Sequence, residues 1–163
     1  MSRTLPTASQ AFVAAIARDT ADADLPRLVA VLEALLAWSA ARSAQLAYRA
    51  DEGRTEVIRF ERVGADAGPK AVFWSAQVTR GAGPRLEIHA STARPLTAEE
   101  RATTMETLNA HSREVLVEGD RLRIGFGALK NDAGRASVLA LMDRLLTRGT
   151  PPTAAADGAG HPA

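Results

Sequence analysis

Residues 111–126, HSREVLVEGDRLRIGF, carry two readings, and the topology turns on which one holds. Either the helix before them runs on to Gly119 as one long rod, or it stops near His111 and Glu114–Val117 opens a hairpin. In the second case Glu118-Gly119-Asp120 turns the chain into a strand over Arg121–Phe126. Val115, Leu116 and Val117 end a helix poorly and suit a strand well. The hairpin is therefore the preferred reading.

The stretch upstream sets the context for that hairpin. In Thr55–Val63, Ile58 and Phe60 alternate with Arg59 and Glu61, the period of a strand. Lys70–Thr79 places Val72, Trp74, Ala76 and Val78 on one face, with Ala71 and Phe73 on the other. After a turn at Arg80–Pro84, Arg85–Ala90 points Leu86 and Ile88 inward. Three strands with short loops make an antiparallel meander. Thr97 and Glu100 then form a capping box, opening the helix that carries Ala102, Met105 and Leu108.

Helices flank the strands at both ends. Ser9–Thr20 sets Phe12, Val13 and Ile16 on one side, and Asp24 with Pro26 starts a second helix expected to run to Ala50. Asn131 or Asp132 caps a last helix with Val138, Leu141, Met142 and Leu145 on its buried stripe. The expected fold is α+β: an antiparallel sheet of four or five strands, a meander plus a C-terminal strand or hairpin, packed by helices. Its order is α-α-β-β-β-α-(β)-β-α. Residues 1–8 are expected to be a flexible N-terminus, 9–149 one domain, and 150–163 a disordered tail of Pro, Thr, Ala and Gly.

Composition narrows the function classes. The 163 residues suit one domain, and the net charge of +1 sets up no field for a polyanion. All but Lys70 and Lys130 of the 20 basic residues are arginine. With no cysteine, disulfides, thiolate metal sites and cysteine nucleophiles are excluded, and a cytoplasmic location is expected. The N-terminal residues show no secretory pattern, and no run reaches the roughly 20 apolar residues a membrane span needs.

Four groups of residues are candidate sites. Arg85, Glu87 and His89 share a strand face; the bland reading, a solvated stripe of loosely paired charges, outweighs an acid–base pair. His89 and His111 have no metal-ligand spacing, and neither a metal nor a cofactor is expected. Gly125, Gly127, Lys130 and Arg135 form a strand–loop–helix passage suited to a phosphate or nucleotide anion, although Asp132 stands where the anion would sit. Arg59, Arg80, Arg85 and Arg123 would bind nucleic acid only by converging on one face, which the near-neutral charge disfavours.

The strongest functional signal is surplus apolar surface. Leu32, Leu36, Ala40 and Ala44 on the second helix, with Phe73 on the outer side of its strand, exceed the needs of one small core. No catalytic constellation is present. The expected function is therefore a non-enzymatic protein-interaction or adaptor module, chaperone-like and homodimeric, binding another protein or itself, with no membrane. With the hairpin, the element order over about Asp51–Arg148 resembles the small dimeric chaperones of bacterial type III secretion and related adaptor domains. Those also set helices against one face of a five-stranded antiparallel sheet. The long extra helix before it departs from their pattern, and fold likeness alone does not carry function.

Overall fold

The segment at 111–126 is a hairpin and not a helical extension. Leu116–Glu118 and Arg121–Gly125 pair antiparallel around the two-residue loop Gly119-Asp120. Gly119 has φ +60°, the conformation that a two-residue hairpin loop with glycine first requires. The computed structural model of the chain describes residues 4–51, 53–54, 56–64, 71–90 and 95–148. The expectations for most of the Gly64–Pro69 turn and for the 150–163 tail lie outside the described residues.

The elements are α1 (Leu5–Asp19), α2 (Leu25–Ala40), β1 (Leu46–Arg49), β2 (Val57–Arg62), β3 (Val72–Thr79), β4 (Gly83–His89), α3 (Ala98–Asn109), β5 (Leu116–Glu118), β6 (Arg121–Gly125) and α4 (Asp132–Thr147). A single 3-10 turn, Phe126–Leu129, joins β6 to α4. The strands form one sheet in the order β1-β2-β3-β4-β6-β5, with every neighbouring pair antiparallel. The α+β class and the antiparallel sheet are as expected, and the strand count is six.

The added strand corrects the expected second helix. That helix ends at Ala40, and Leu46–Arg49 becomes the edge strand β1 beside β2. As a strand, Leu46 and Tyr48 both turn inward, where Leu46 is buried and Tyr48 meets Phe60 edge-on at 6.0 Å. Tertiary pairing here overrides the helix propensity of an alanine-rich stretch. A second correction concerns residues 5–8, which belong to α1 and not to a loose terminus. Thr4 caps that helix, accepting from the Thr7 amide, and Ala8 is buried.

One face of the sheet carries the core. Ile58, Phe60, Trp74, Ala76, Leu86, Ile88, Leu122 and Ile124 point to the same side, where α1, α2 and α4 pack with Phe12, Ile16, Leu32, Leu35, Leu141 and Met142. Phe60 stacks on Trp74 at 5.0 Å, and the buried Trp74 indole donates to Ser39 Oγ of α2 at 2.9 Å. That bond ties the sheet to α2 and satisfies a donor with no access to water. The capping box forms as read: the Glu100 amide donates to Thr97 Oγ1 and the Thr97 amide to Glu100.

Two arginines fasten the end of α4. Arg62 donates to the Leu145 and Leu146 carbonyls, both at 3.0 Å, so it satisfies acceptors that a helix end leaves open. Burial lowers its pKa from the ordinary arginine value, with nearby Arg148 adding to the effect. Arg148 donates to the Ala90 and Pro95 carbonyls and pairs with Glu100, linking α4 to the start of α3.

Candidate interaction face

The opposite face of the sheet has no helix on it among the described residues, and a β-bulge decides which side chains it displays. Phe60 pairs with Trp74, but the next partner of Glu61 is Val72, which leaves Phe73 as the extra residue. The bulge reverses the alternation. Val72 joins Ser75 and Gln77 on the outer side, while Phe73 and Trp74 both turn to the core. Phe73 is fully buried, stacked 6.1 Å from Trp38 with the Arg62 guanidinium 5.1 Å from its ring. The expectation of Phe73 as an outward contact is corrected on this ground.

The register lines up the outer residues in rows. Arg49, Arg59, Ser75, Glu87, Arg123 and Leu116 face one another in succession across the six strands. On one side of that row stand Val57, Gln77, Arg85 and Gly125, and on the other His89, Arg121 and Glu118. A groove of about 680 Å³ crosses the β2–β4 half of the face, floored by Val57 and Val72. A smaller one of about 340 Å³ lies beyond Arg123, beside the half-exposed Leu116.

Glu87 is the hub of the charge pattern. It takes Arg123 Nε at 2.5 Å on one oxygen and lies 3.0 Å from His89 Nε2 on the other. Its side chain is 12% exposed and that of His89 16%, so the pair is no solvated stripe, as the strand pattern alone suggested. Burial lowers the His89 pKa below its usual value of 6.5; Glu87 opposes that shift, while Arg121 and Arg123 add to it. The Arg123 pKa is raised, chiefly by its hydrogen bond to Glu87. Arg49 and Arg59 share Glu61 at 3.4 and 3.7 Å. Arg85 and Arg121 make no ion pair among the described residues.

Within the chain, the Glu87 carboxylate holds the Arg123 guanidinium and the His89 ring in place. Ser75 stands opposite Glu87 in the register, yet no hydrogen bond joins Ser75 to His89. Ser75 therefore takes no part in a relay through the imidazole of the kind an activated serine needs. Among the described residues, no three of His, Asp or Glu gather as a metal site.

The remaining candidates fall elsewhere. Gly125, Gly127 and Lys130 line a groove of about 320 Å³ with Asp24, and Lys130 Nζ sits 3.4 Å from the Asp24 carboxylate. Asp24 makes no side-chain cap on α2. Arg135 turns to Asp132 at 2.6 Å, and Asn131 Oδ1 accepts from the Ala133 and Gly134 amides at the α4 N-terminus. The cations and amides expected to hold an anion are thus already occupied within the chain. Leu32 is buried in this chain's core, Leu36 is half-buried, and Ala40 and Ala44 are exposed.

Arg59, Arg85 and Arg123 do share one face, while Arg80 sits just past the end of β3. Every Phe, Trp and Tyr of the chain packs on the core side of the sheet, so the arginine face has no ring on which a base could stack. Sequence reasoning missed Arg49 and Arg121 as members of this face. The alternation Arg121-Leu122-Arg123-Ile124 pointed to the second; the first needed β1. Among the described residues no helix is long and apolar enough to cross a membrane. No family model matches the chain, and no curated protein or solved structure does either.

Proposed function

We propose that this chain is a non-enzymatic, cytoplasmic protein-interaction module that docks another protein on the open face of its sheet. The observation that carries the reading is the asymmetry of the sheet. Three helices cover one face, while the other presents an ordered, half-shielded array of charged side chains over an apolar groove floor. Sheets buried on one side and wet on the other are ordinary. A Glu87–Arg123–His89 cluster with its carboxylate 12% exposed is more built than a wet face requires. The element order with the 116–125 hairpin supports the likeness to dimeric secretion chaperones, and the half-buried Leu36 and exposed Ala40 on the last turns of α2 are open to a second copy, with Ala44 exposed in the turn that follows.

Photo-crosslinking in the native cell tests the proposal, with a benzophenone amino acid placed at Gln77 on the open face or at the exposed Ala140 on α4. Adducts from Gln77 and none from Ala140 are expected. Their mass separates a second 17.2 kDa copy from a different protein. Adducts only from Ala140, or none from either position, would overturn the docking face.

A further inference from the structure

We infer that the occupant of the open face is an extended acidic segment of another protein, whose carboxylates meet Arg85 and Arg121. The inference rests on the docking face proposed above and names what binds there. Arginines outnumber carboxylates on the face: Arg49, Arg59, Arg85, Arg121 and Arg123 stand against Glu61, Glu87 and Glu118. Most of these charges lie beside an opposite one. Glu61 is 3.4 Å from Arg49 and 3.7 Å from Arg59, whose buried Nε makes no hydrogen bond among the described residues, and Arg123 spans Glu87 and Glu118. Arg85 and Arg121 are left with donors and no carboxylate among the described residues.

Their placement sets the shape of the ligand. Arg121 lies opposite His89, and Arg85 opposite Gly125, so the two arginines sit four residues apart along the β4–β6 ladder. At about 3.3 Å per residue that is about 13 Å. One phosphate or carboxylate does not span this distance. An extended chain running along the strands does, with acidic residues at i and i+4, which project from the same side. Between them the ligand crosses the Glu87–Arg123 pair, and Gly125 beside Arg85 leaves room for its backbone.

Nucleic acid fits the face less well. No aromatic ring lies there, three glutamates repel phosphates, and the net charge of +1 adds no attraction. A peptide of mixed character tolerates those glutamates, with uncharged residues set against Glu87 and Glu118.

The test is fluorescence anisotropy with the full chain and three labelled probes: a decapeptide alternating glutamate and threonine, its glutamine–threonine analogue, and a ten-nucleotide oligothymidylate. The glutamate peptide is expected to bind, with an affinity that falls as salt rises. Arg85→Gln with Arg121→Gln should weaken it at least about tenfold, one lost charge contact being of that order. Arg80→Gln, off the face, should leave it unchanged, and thermal unfolding verifies that each variant folds. Equal binding of the two peptides, an unaffected double variant, or tighter binding of the oligonucleotide would each overturn the inference. Failure of all three probes would also overturn it, whereas the Gln77 adducts decide the docking face independently.

Discussion

Replacing Glu87 with Gln asks whether the outer face carries a built charge cluster or a row of loose surface charges. The glutamate side chain is 12% exposed and holds Arg123 at 2.5 Å and His89 at 3.0 Å. An exposed ion pair contributes about 0–1 kcal/mol, whereas breaking a buried one costs about 3–5 kcal/mol. Arg123 is 27% exposed, which places this pair between the two limits. Glutamine keeps the shape and loses the charge, so the cost follows that of a hydrogen bond to an ionised group, about 1.5–3 kcal/mol. In a domain of this size the unfolding midpoint should fall by about 3–12 °C.

Urea denaturation followed by circular dichroism measures the loss, and an NMR titration of His89 supplies an independent reading. Glu87 is the group that raises the His89 pKa, while burial, Arg121 and Arg123 all lower it. Removing the carboxylate should therefore move that pKa further down. A loss under about 0.5 kcal/mol would place the pair among ordinary surface contacts. An upward shift of the His89 titration would refute the electrostatic account outright.

Two further outcomes follow from the packing and the titrating group. Ser39→Ala removes the acceptor of the buried Trp74 indole and leaves that donor unpaired, at a cost of about 1–3 kcal/mol. Chemical denaturation checks it, and a change within about 0.3 kcal/mol would show that the indole had found another partner. The second outcome concerns pH. Because the folded-state pKa of His89 lies below its usual value of 6.5, the unfolded chain takes up the proton first. His89 therefore contributes nothing above that value, and stability falls as the pH drops through it until the folded-state pKa is passed. His89→Gln should flatten this part of the stability curve, and identical slopes in the two proteins would contradict the assignment.

Legibility in the sequence followed the range of the interactions. The alternation in Thr55–Val63 and Arg85–Ala90, the Thr97–Glu100 capping box and the Glu118-Gly119-Asp120 turn are local signals, and each element appears near its expected place. The edge strand at Leu46–Arg49 carries a helical pattern in sequence because alanine-rich residues surround it and its strand character depends on pairing with β2. Strict alternation puts Phe73 on the outer face, but alternation holds only without a bulge, and the bulge exists only in register with Phe60 and Glu61. At the candidate face, the two-residue spacing of Glu87 and His89 makes them neighbours on one strand. The pairing of Glu87 with Arg123, 36 residues along the chain, needs β4 and β6 side by side.

By itself the sequence determined the α+β class, most helix and strand identities, and the near-neutral, cysteine-free chemistry of the chain, because periodicity, caps and composition are set within a few residues. Only the tertiary structure decided the sixth strand, the inward turn of Phe73, the pairing of Lys130 with Asp24, and the gathering of arginines around Glu87. Each of those depends on which distant strand or helix lies alongside. That choice is made by the register of hydrogen bonds and the burial of one whole sheet face, and no local window of residues contains it.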